Sequence, residues 1–483
     1  MVRAHFPAVR ERAEEHGGLP KFVVREFEEY LRCGILSEGC LHLVCRTCGH
    51  SEVVGLSCKR RGFCPACLGR RMADVAIHLE RSVLPGVPIR HWICSLPWGL
   101  RALLGYDRAL AATVASAFAG ELERSLKKQA KVALGLRSVA DAHAGSVLAV
   151  QRTDSALRLN VHFHVLALDG VYVRDKGTGQ LIFHALGTPT RAEVASVAAR
   201  TAARIEKILG KSGRSLDPEM AGPEPPELCE QEPGLAACYA AAAQGVSVSG
   251  DRAGLPPLRL VVSVHPRPTT DDPSDPVAEV RGVNVHARQV VDGRDRRQLE
   301  RLCRYVTRPP IAQDRLTVRF DGTLELELKS IWKDGTRAIV FSPEDLILRL
   351  IAAIPPPRFH LLRYFGVLSS HSRLRKEVVP RSPRDPRALR PPPAPGDQLT
   401  LARLEETEDP QRPRRNRWAW LLAHVFRADL DTCDRCGGPM RWAEAATTRR
   451  SAARLLAKLG LAPQPPPGPR PMVPAQLALP FGK

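Results

Sequence analysis

From Leu159 to Leu168 the chain alternates. Val161, Phe163, Val165 and Ala167 occupy odd positions, and His162, His164, Leu166 and Leu168 occupy even ones. Side chains two apart on a strand share a face. The odd positions therefore form one apolar face, and the two imidazoles project together from the other, with Cα atoms about 7 Å apart. Residues 146–152 (SVLAVQR) form the second arm of a predicted hairpin around Thr153-Asp154-Ser155. Further strands are predicted at 88–96, 258–264, 278–286 and within 315–328. Helical spacing appears at 21–33, where Val23, Phe27, Tyr30 and Leu31 share a face and Gly34 is a stop. It recurs at 106–133, 191–209, 343–354 and 357–366, and at 294–307, which ends before Pro309-Pro310. Residues 210–256 turn acidic and Pro-rich and are predicted to be a loop excursion.

This pattern divides the chain into a helix plus cysteine-rich module (1–85), a large mixed domain (86–380) carrying the 210–256 excursion, and a Pro/Arg linker (381–415). A small unit with a cysteine knuckle (416–460) and a Pro-rich tail (461–483) follow.

Charge narrows the function. Lys+Arg number 71 against 51 Asp+Glu, a formal net charge of +20 over 483 residues. Such an excess favours an anionic partner, most simply nucleic acid, with an anionic membrane surface the weaker fit. No apolar run reaches 18 residues, and the N-terminus (MVRAHFPAVRERAEEHGG) is too charged for a secretory signal. A soluble cytoplasmic protein with no membrane contact is expected.

The 13 cysteines concentrate near the N-terminus. In an intracellular chain that distribution points to metal rather than disulfides. Cys45 and Cys48 form one C-x2-C; Cys64 and Cys67 form a second, fifteen residues on. That spacing predicts a four-cysteine zinc ribbon or treble-clef knuckle. Structural zinc contributes roughly 10–16 kcal/mol in small modules, which offsets a core too small to stand alone. Cys40, His42, His50 and Cys58 are spare ligands. Lys59, Arg60 and Arg61 lie between the pairs and Arg70 and Arg71 just after, either contacting phosphates or forming a solvated charged face. A third pair, Cys433 and Cys436, is half a zinc site closed by distant residues, a redox pair, or neither. Arg412, Arg414, Arg415, Arg417, Trp418 and Trp420 precede it, a mixture suited to single-stranded nucleic acid or to a buried aromatic edge.

Three segments taken together carry a resemblance: SCKRRGFCPAC in the cysteine module, NVHFHVLALDGVY, and RLCRYVTRPPIA at 301–312. WICSLP (92–97), the WKDGT turn (332–336) and HLLRYFGVLSSHSRLR (360–375) add to it. Over about residues 20–380 the chain resembles the rolling-circle transposases of the insertion-sequence ninety-one-like family, bacterial enzymes of the HUH (histidine, hydrophobic residue, histidine) endonuclease class. The resemblance implies an α+β catalytic core, an antiparallel sheet with helices on one face, behind an N-terminal zinc-binding domain. It implies that His162 and His164 bind a catalytic divalent ion, that Tyr305 is the nucleophile, and that Cys45, Cys48, Cys64 and Cys67 hold zinc. The implied partners are single-stranded DNA at transposon ends and host replication proteins. Some members carry two tyrosines four residues apart. Arg301 and Pro309 stand at those positions here, so this chain looks like a single-tyrosine member.

The chemistry explains the residue types. A tyrosine attacking phosphorus stores the bond energy as a phosphotyrosine ester and releases a 3′-hydroxyl. A free phenol titrates near 10 and the phosphodiester is anionic, so a cation between two imidazoles, Mg²⁺ or Mn²⁺, lowers the barrier. Arg304 and Arg308 flank Tyr305 on the predicted helix and can hold phosphate. A third ligand is left open among Gln151, Asn160, Gln298 and Glu300. Gln151 is expected two cross-strand pairs from the histidines. The rivals are a replication initiator or relaxase with the same chemistry, and a zinc-dependent DNA-binding protein without nuclease activity.

Overall fold

The alternating segment becomes a central strand. The structure, a computed structural model, describes residues 1–217, 226–247, 252–263, 272, 274–380 and 432–462. The 381–415 linker, the Arg412 to Trp420 stretch and residues 463–483 lie outside the described residues.

Helices α1 (Val2–Glu14) and α2 (Lys21–Arg32) open the chain, followed by the hairpin β1 (Cys40–Cys45) and β2 (Ser51–Gly55). Helix α3 (Pro65–Ser82) starts on a proline, whose missing N–H would have no helical partner in the first turn. Then come β3 (Ile89–Ser95), α4 (Arg101–Tyr106), α5 (Arg108–Ala133), β4 (Ala142–His143), β5 (Gly145–Thr153), β6 (Leu159–Leu168), β7 (Gly170–Arg174), β8 (Leu181–Ala185) and α6 (Arg191–Gly210). The 210–256 region departs from the predicted loop. It contains α7 (Pro226–Gln231) and α8 (Pro233–Gln244), and α8 buries Leu235 and Tyr239 completely. Its apolar GLAACYAAAA run outweighs the acidic, Pro-rich stretch before it. The second half adds β9 (Leu258–Val261), β10 (Val277–Val280), β11 (Val283–Val291), α9 (Arg296–Val306), β12 (Leu316–Val318), β13 (Leu324–Glu327), β14 (Thr336–Phe341), α10 (Pro343–Ala353), β15 (Leu362–Gly366) and α11 (Arg375–Val378). The helix predicted at 357–366 is instead an edge strand, because β15 pairs with β5. After the undescribed stretch come β16 (Met440–Ala446) and α12 (Arg449–Lys458).

The fold is α+β. Six strands in the order β10-β11-β3-β6-β5-β15 form the main sheet, and every neighbouring pair is antiparallel. Helices cover both faces, not one. Phe163, Val161, Val165, Leu148 and Trp92 pack with residues of α5, α6, α8 and α10. On the opposite face Val147, Ala149, Leu166 and Leu168 pack with α3 and α9. The even positions beyond His164 are themselves apolar, so that face also needs cover; each such leucine contributes about 1.5–3 kcal/mol when removed from water. Arg90 lies between sheet and loop, giving Nε and Nη2 to the carboxylate of Asp169 at 2.7 and 2.8 Å and Nη1 to the Ala287 carbonyl at 3.0 Å.

The knuckle at 433–436 is not part of a separate C-terminal unit. Strand β16 pairs antiparallel with β1, which pairs with β2, in a three-stranded sheet built from both ends of the chain. Among the described residues no helix is long and apolar enough to cross a membrane.

Candidate active site and metal centres

Register brings the histidines together with residues distant in sequence. On β6, His164 faces Ile93 of β3 and Ala149 of β5, while His162 faces Ser95 and Gln151. Gln151 is thus directly opposite His162 rather than two pairs away. His91 of β3 joins the same face; its ring stacks on that of His164, centroids 5.0 Å apart and planes 13° apart. The His162 and His164 centroids are also 5.0 Å apart.

Hydrogen bonds set which nitrogens are free. His162 Nδ1 lies 2.7 Å from the Asn160 carbonyl, so Nδ1 donates and the lone pair is left on Nε2. His91 Nδ1 faces Gln289 Oε1 at 3.2 Å and donates to it, leaving His91 Nε2 as an acceptor. That nitrogen is 2.8 Å from His164 Nδ1, which donates in turn. His164 Nε2 is then a bare lone pair, and it is buried without a partner. Burial is the main cause pushing the His91 and His162 pKa values down to about 4, with Arg308 adding to it, and holds His164 well below its ordinary value. All three imidazoles are neutral at pH 7, the form that binds a metal.

Helix α9 presents Tyr305 to this face. Asp295 caps it by accepting from Gln298 N–H at 2.9 Å, and Leu299, Leu302, Cys303 and Val306 form its buried stripe. At its other end Gln151 Nε2 donates to the carbonyls of Tyr305 and Val306, at 3.3 and 3.0 Å. The Tyr305 ring lies 5.8 Å, edge-on, from both His91 and His164. Arg308 stacks its guanidinium over the phenol ring, 4.2 Å from the centroid. Arg304 does not join it; its Nη2 is paired with Glu300 at 2.7 Å. At the C-terminal end of α9 a cavity of about 120 Å³ is lined by Gln151, Thr307, Arg308, Lys329, Arg61 and Arg71, among others. Burial, together with Arg308 and Arg315, lowers the Lys329 pKa to about 6.

The cysteines group differently from the expected Cys45, Cys48, Cys64 and Cys67 set. Cys64 and Cys67 stand with Cys33 and Cys58, whereas Cys45 and Cys48 stand with Cys433 and Cys436. The reason is local. The β1–β2 hairpin carries Cys45 and Cys48 at one end of its sheet, while Cys67 lies on α3 against the end of α2. Sulfur separations are 3.4–3.7 Å in the first group (Cys58–Cys67 3.4, Cys33–Cys67 3.6, Cys33–Cys64 3.7) and 3.5 and 3.7 Å in the second (Cys45–Cys436, Cys48–Cys433). A tetrahedral ion with Zn–S bonds of about 2.3 Å sets its sulfurs about 3.8 Å apart, so both tetrads fit zinc. Of the spare candidates only Cys58 joins a tetrad. Cys40 is buried in a small core with Ala446, Ala452, Leu455 and Leu456. His42 bonds Ser51 Oγ at 2.6 Å, and His50 meets Asp434 at 3.2 Å. Lys59 is exposed. Arg60 pairs with Glu29 at 3.3 Å, and Arg61 Nη2 donates to the Phe359 carbonyl.

Comparison with known proteins fits these features. Residues 145–376 match the family described as "Putative transposase", and residues 1–96 match the transposase zinc-binding domain. The transposase for insertion sequence element IS801 of Pseudomonas savastanoi pv. phaseolicola is 23% identical over 360 residues, covering 74% of this chain and 72% of that protein. The chain belongs to the IS91-like transposase family. No solved structure matches it. This transposase carries an N-terminal zinc-binding domain with structural zinc, and its work is transposition. The first match contains His162, His164 and Tyr305; the second contains Cys33 and Cys58 but stops well short of Cys433.

Four functional candidates were missed in the sequence: His91, Gln289, Lys329 and Cys33. Cys33 has a signal, since it is the last residue of the helix predicted at 21–33, directly before the stop at Gly34. His91 had none until strand pairing is known.

Proposed function

We propose that this transposase cuts and rejoins single-stranded DNA at transposon ends through a phosphotyrosine at Tyr305, in rolling-circle transposition. The observation that carries this is the Tyr305 ring lying 5.8 Å from His164, although 141 residues separate them in the chain. The phenol gives up its proton as its oxygen attacks phosphorus, the P–O3′ bond breaks, and the 3′-oxygen leaves and takes up one proton in its place. The ester stays on the 5′ side, so a 3′-hydroxyl can reverse the step without outside energy.

His162 and His164 would hold the metal through their Nε2 atoms, since their Nδ1 atoms are already committed. An Mg²⁺ or Mn²⁺ ion bound there would supply polarisation of the phosphoryl oxygen. Asn160 is the third donor best supported. It shares the strand face, and its Oδ1 is buried without a partner, whereas Glu300 is paired with Arg304 and Gln151 holds the helix end. Gln151 fixes the turn that bears the phenol. Arg308 sits on the phenol ring and faces the cavity shared with Lys329, Arg61 and Arg71, a cationic lining suited to a strand backbone. Host replication proteins are the further partners proposed, in the bacterial cytoplasm.

A labelled single-stranded oligonucleotide bearing the ends of the encoding element tests this. The expected result is a covalent protein–DNA adduct that requires Mn²⁺ or Mg²⁺ and disappears in Tyr305→Phe. Salt-sensitive binding with no adduct in the wild type would instead mark a zinc-dependent DNA-binding protein without nuclease activity.

A further inference from the structure

We infer that Cys45, Cys48, Cys433 and Cys436 hold a zinc ion of their own, closing a zinc ribbon whose two halves come from opposite ends of the chain. The inference does not depend on the strand-cutting chemistry.

The two C-x2-C segments are built alike. Each is followed by a glycine at positive φ, Gly49 at +72° and Gly437 at +68°, a conformation that strains other residues. Each glycine N–H donates to the carbonyl of the first cysteine, Gly49 to Cys45 at 3.1 Å and Gly437 to Cys433 at 2.9 Å. Each first cysteine N–H donates to the carbonyl five residues on, Cys45 to His50 at 2.7 Å and Cys433 to Gly438 at 2.8 Å. The amides of Thr47 and Cys48 point at Cys45 Sγ, 3.3 and 3.5 Å away. Donation of that kind stabilises a thiolate.

The halves also meet outside the sulfurs. Arg46 N–H donates to the Pro439 carbonyl at 2.9 Å, and Cys45 is paired with Met440 in the β1–β16 ladder. A Cβ on Gly438 would lie 2.3 Å from Thr47 Oγ1, so the approach needs glycine. The Cys64–Cys67 pair shares only the bond to the first carbonyl, Leu68 N–H to Cys64 at 2.9 Å, and has no positive-φ glycine after it. It opens helix α3 and is followed by Leu68, so it is a different kind of ligand pair with different partners. The core that joins the halves is small, formed mainly by Cys40, Ala446, Ala452, Leu455 and Leu456, and a metal supplies the cohesion such a core lacks.

Zinc content of the purified, reduced full-length chain tests the assignment. Two ions per chain are expected. Cys433→Ser/Cys436→Ser should hold one, Cys45→Ser/Cys48→Ser should hold one, and the fourfold variant should still hold one, because both pairs serve the same ion. Cys436→His, which keeps a zinc donor, should restore the second ion, and its Co²⁺-loaded form should show a shifted d–d absorption. The inference is overturned if the wild type holds a single ion, if Cys433→Ser/Cys436→Ser keeps two or loses both, if the fourfold variant loses more than either pair alone, or if Cys436→His behaves like Cys436→Ser.

Discussion

The histidine–tyrosine site and the two cysteine tetrads are both assembled across long stretches of chain, yet they are held in different ways. The histidines are placed by a six-stranded sheet whose ladder fixes every neighbour, and Tyr305 by a helix whose apolar stripe is buried on that sheet. Removing one candidate side chain there should leave the scaffold intact. The tetrad of Cys45, Cys48, Cys433 and Cys436 has only a small core behind it, and the tetrad of Cys33, Cys58, Cys64 and Cys67 ties the end of α2 to the start of α3. The difference teaches that a mutation at the first site should act on activity and spare the fold, whereas one in a tetrad should act on the fold first and reach activity only through it.

The largest expected effect tests the first half of that contrast. Tyr305→Phe should reduce adduct formation to background, on the order of 10³-fold or more, and His164→Ala by on the order of 100-fold or more, since a bound ion's charge stabilisation amounts to several kcal/mol. Both variants should keep the wild-type zinc content and unfold within a few degrees of the wild type. A tyrosine variant that forms adduct at the normal rate would remove Tyr305 from the chemistry.

The second expected effect falls in the Cys33, Cys58, Cys64 and Cys67 tetrad. It sits where α2 meets α3, and α3 shares a buried cluster with α9, the helix bearing Tyr305. Cys64→Ser should therefore release one zinc, destabilise the fold by several kcal/mol and lower adduct yield together with it. Cys433→Ser should be milder in calorimetry and leave adduct formation close to normal, because β16 and α12 pack on β1 and β2 rather than on the main sheet. Equal losses of activity from both variants would erase the distinction between the tetrads.

What the sequence reveals follows the same line. His162 and His164 are legible because a strand's period of two needs only local residues; Tyr305 is legible only through the resemblance carried by RLCRYVTRPPIA, while Pro309-Pro310 fix where its helix must stop. His91 is not legible: a single histidine in IRHWICS looks like any strand residue until Ile93 is paired with His164. A C-x2-C spacing shows that a knuckle exists but not which knuckle answers it, so proximity in sequence suggests Cys64 and Cys67 as partners of Cys45. The better clue was the glycine after Cys48 and after Cys436, absent after Cys67. Helix α8 was hidden by its acidic, Pro-rich approach, and β15 by leucines that fit a helix as well as a strand.

Acid should expose the cost of the buried imidazoles in metal-free protein. His91 and His162 have folded pKa values near 4, below the unfolded value near 6.5. Above that unfolded value neither state takes up a proton at these residues and their contribution is flat. As pH falls from about 6.5 to 4 the unfolded chain gains protons that the folded one refuses. Stability then drops by up to about 1.4 kcal/mol per pH unit for each imidazole, and the loss levels off below pH 4. His91→Gln should flatten the slope of stability against pH in denaturant titrations. An unchanged slope would mean that other groups govern acid unfolding.

The smallest effect separates a ligand from the residue that orients it. Gln289 Oε1 receives His91 Nδ1–H, and His91 Nε2 in turn receives His164 Nδ1–H, so the lone pair on His164 Nε2 depends on an amide two strands away. Gln289→Leu removes the acceptor, frees His91 to flip its tautomer, and sets its Nε2–H against the donor on His164. Loss of such an orienting partner typically weakens metal binding by about 10–100-fold. Titration with Mn²⁺ should therefore show a right-shifted curve in Gln289→Leu, with adduct formation recovering at saturating metal, because every group that touches the strand is still present. His164→Ala should not recover at any metal concentration. If Gln289→Leu binds Mn²⁺ like the wild type, the tautomer of His164 is fixed by something other than this relay, and His91 becomes a free donor beside the pair rather than its support.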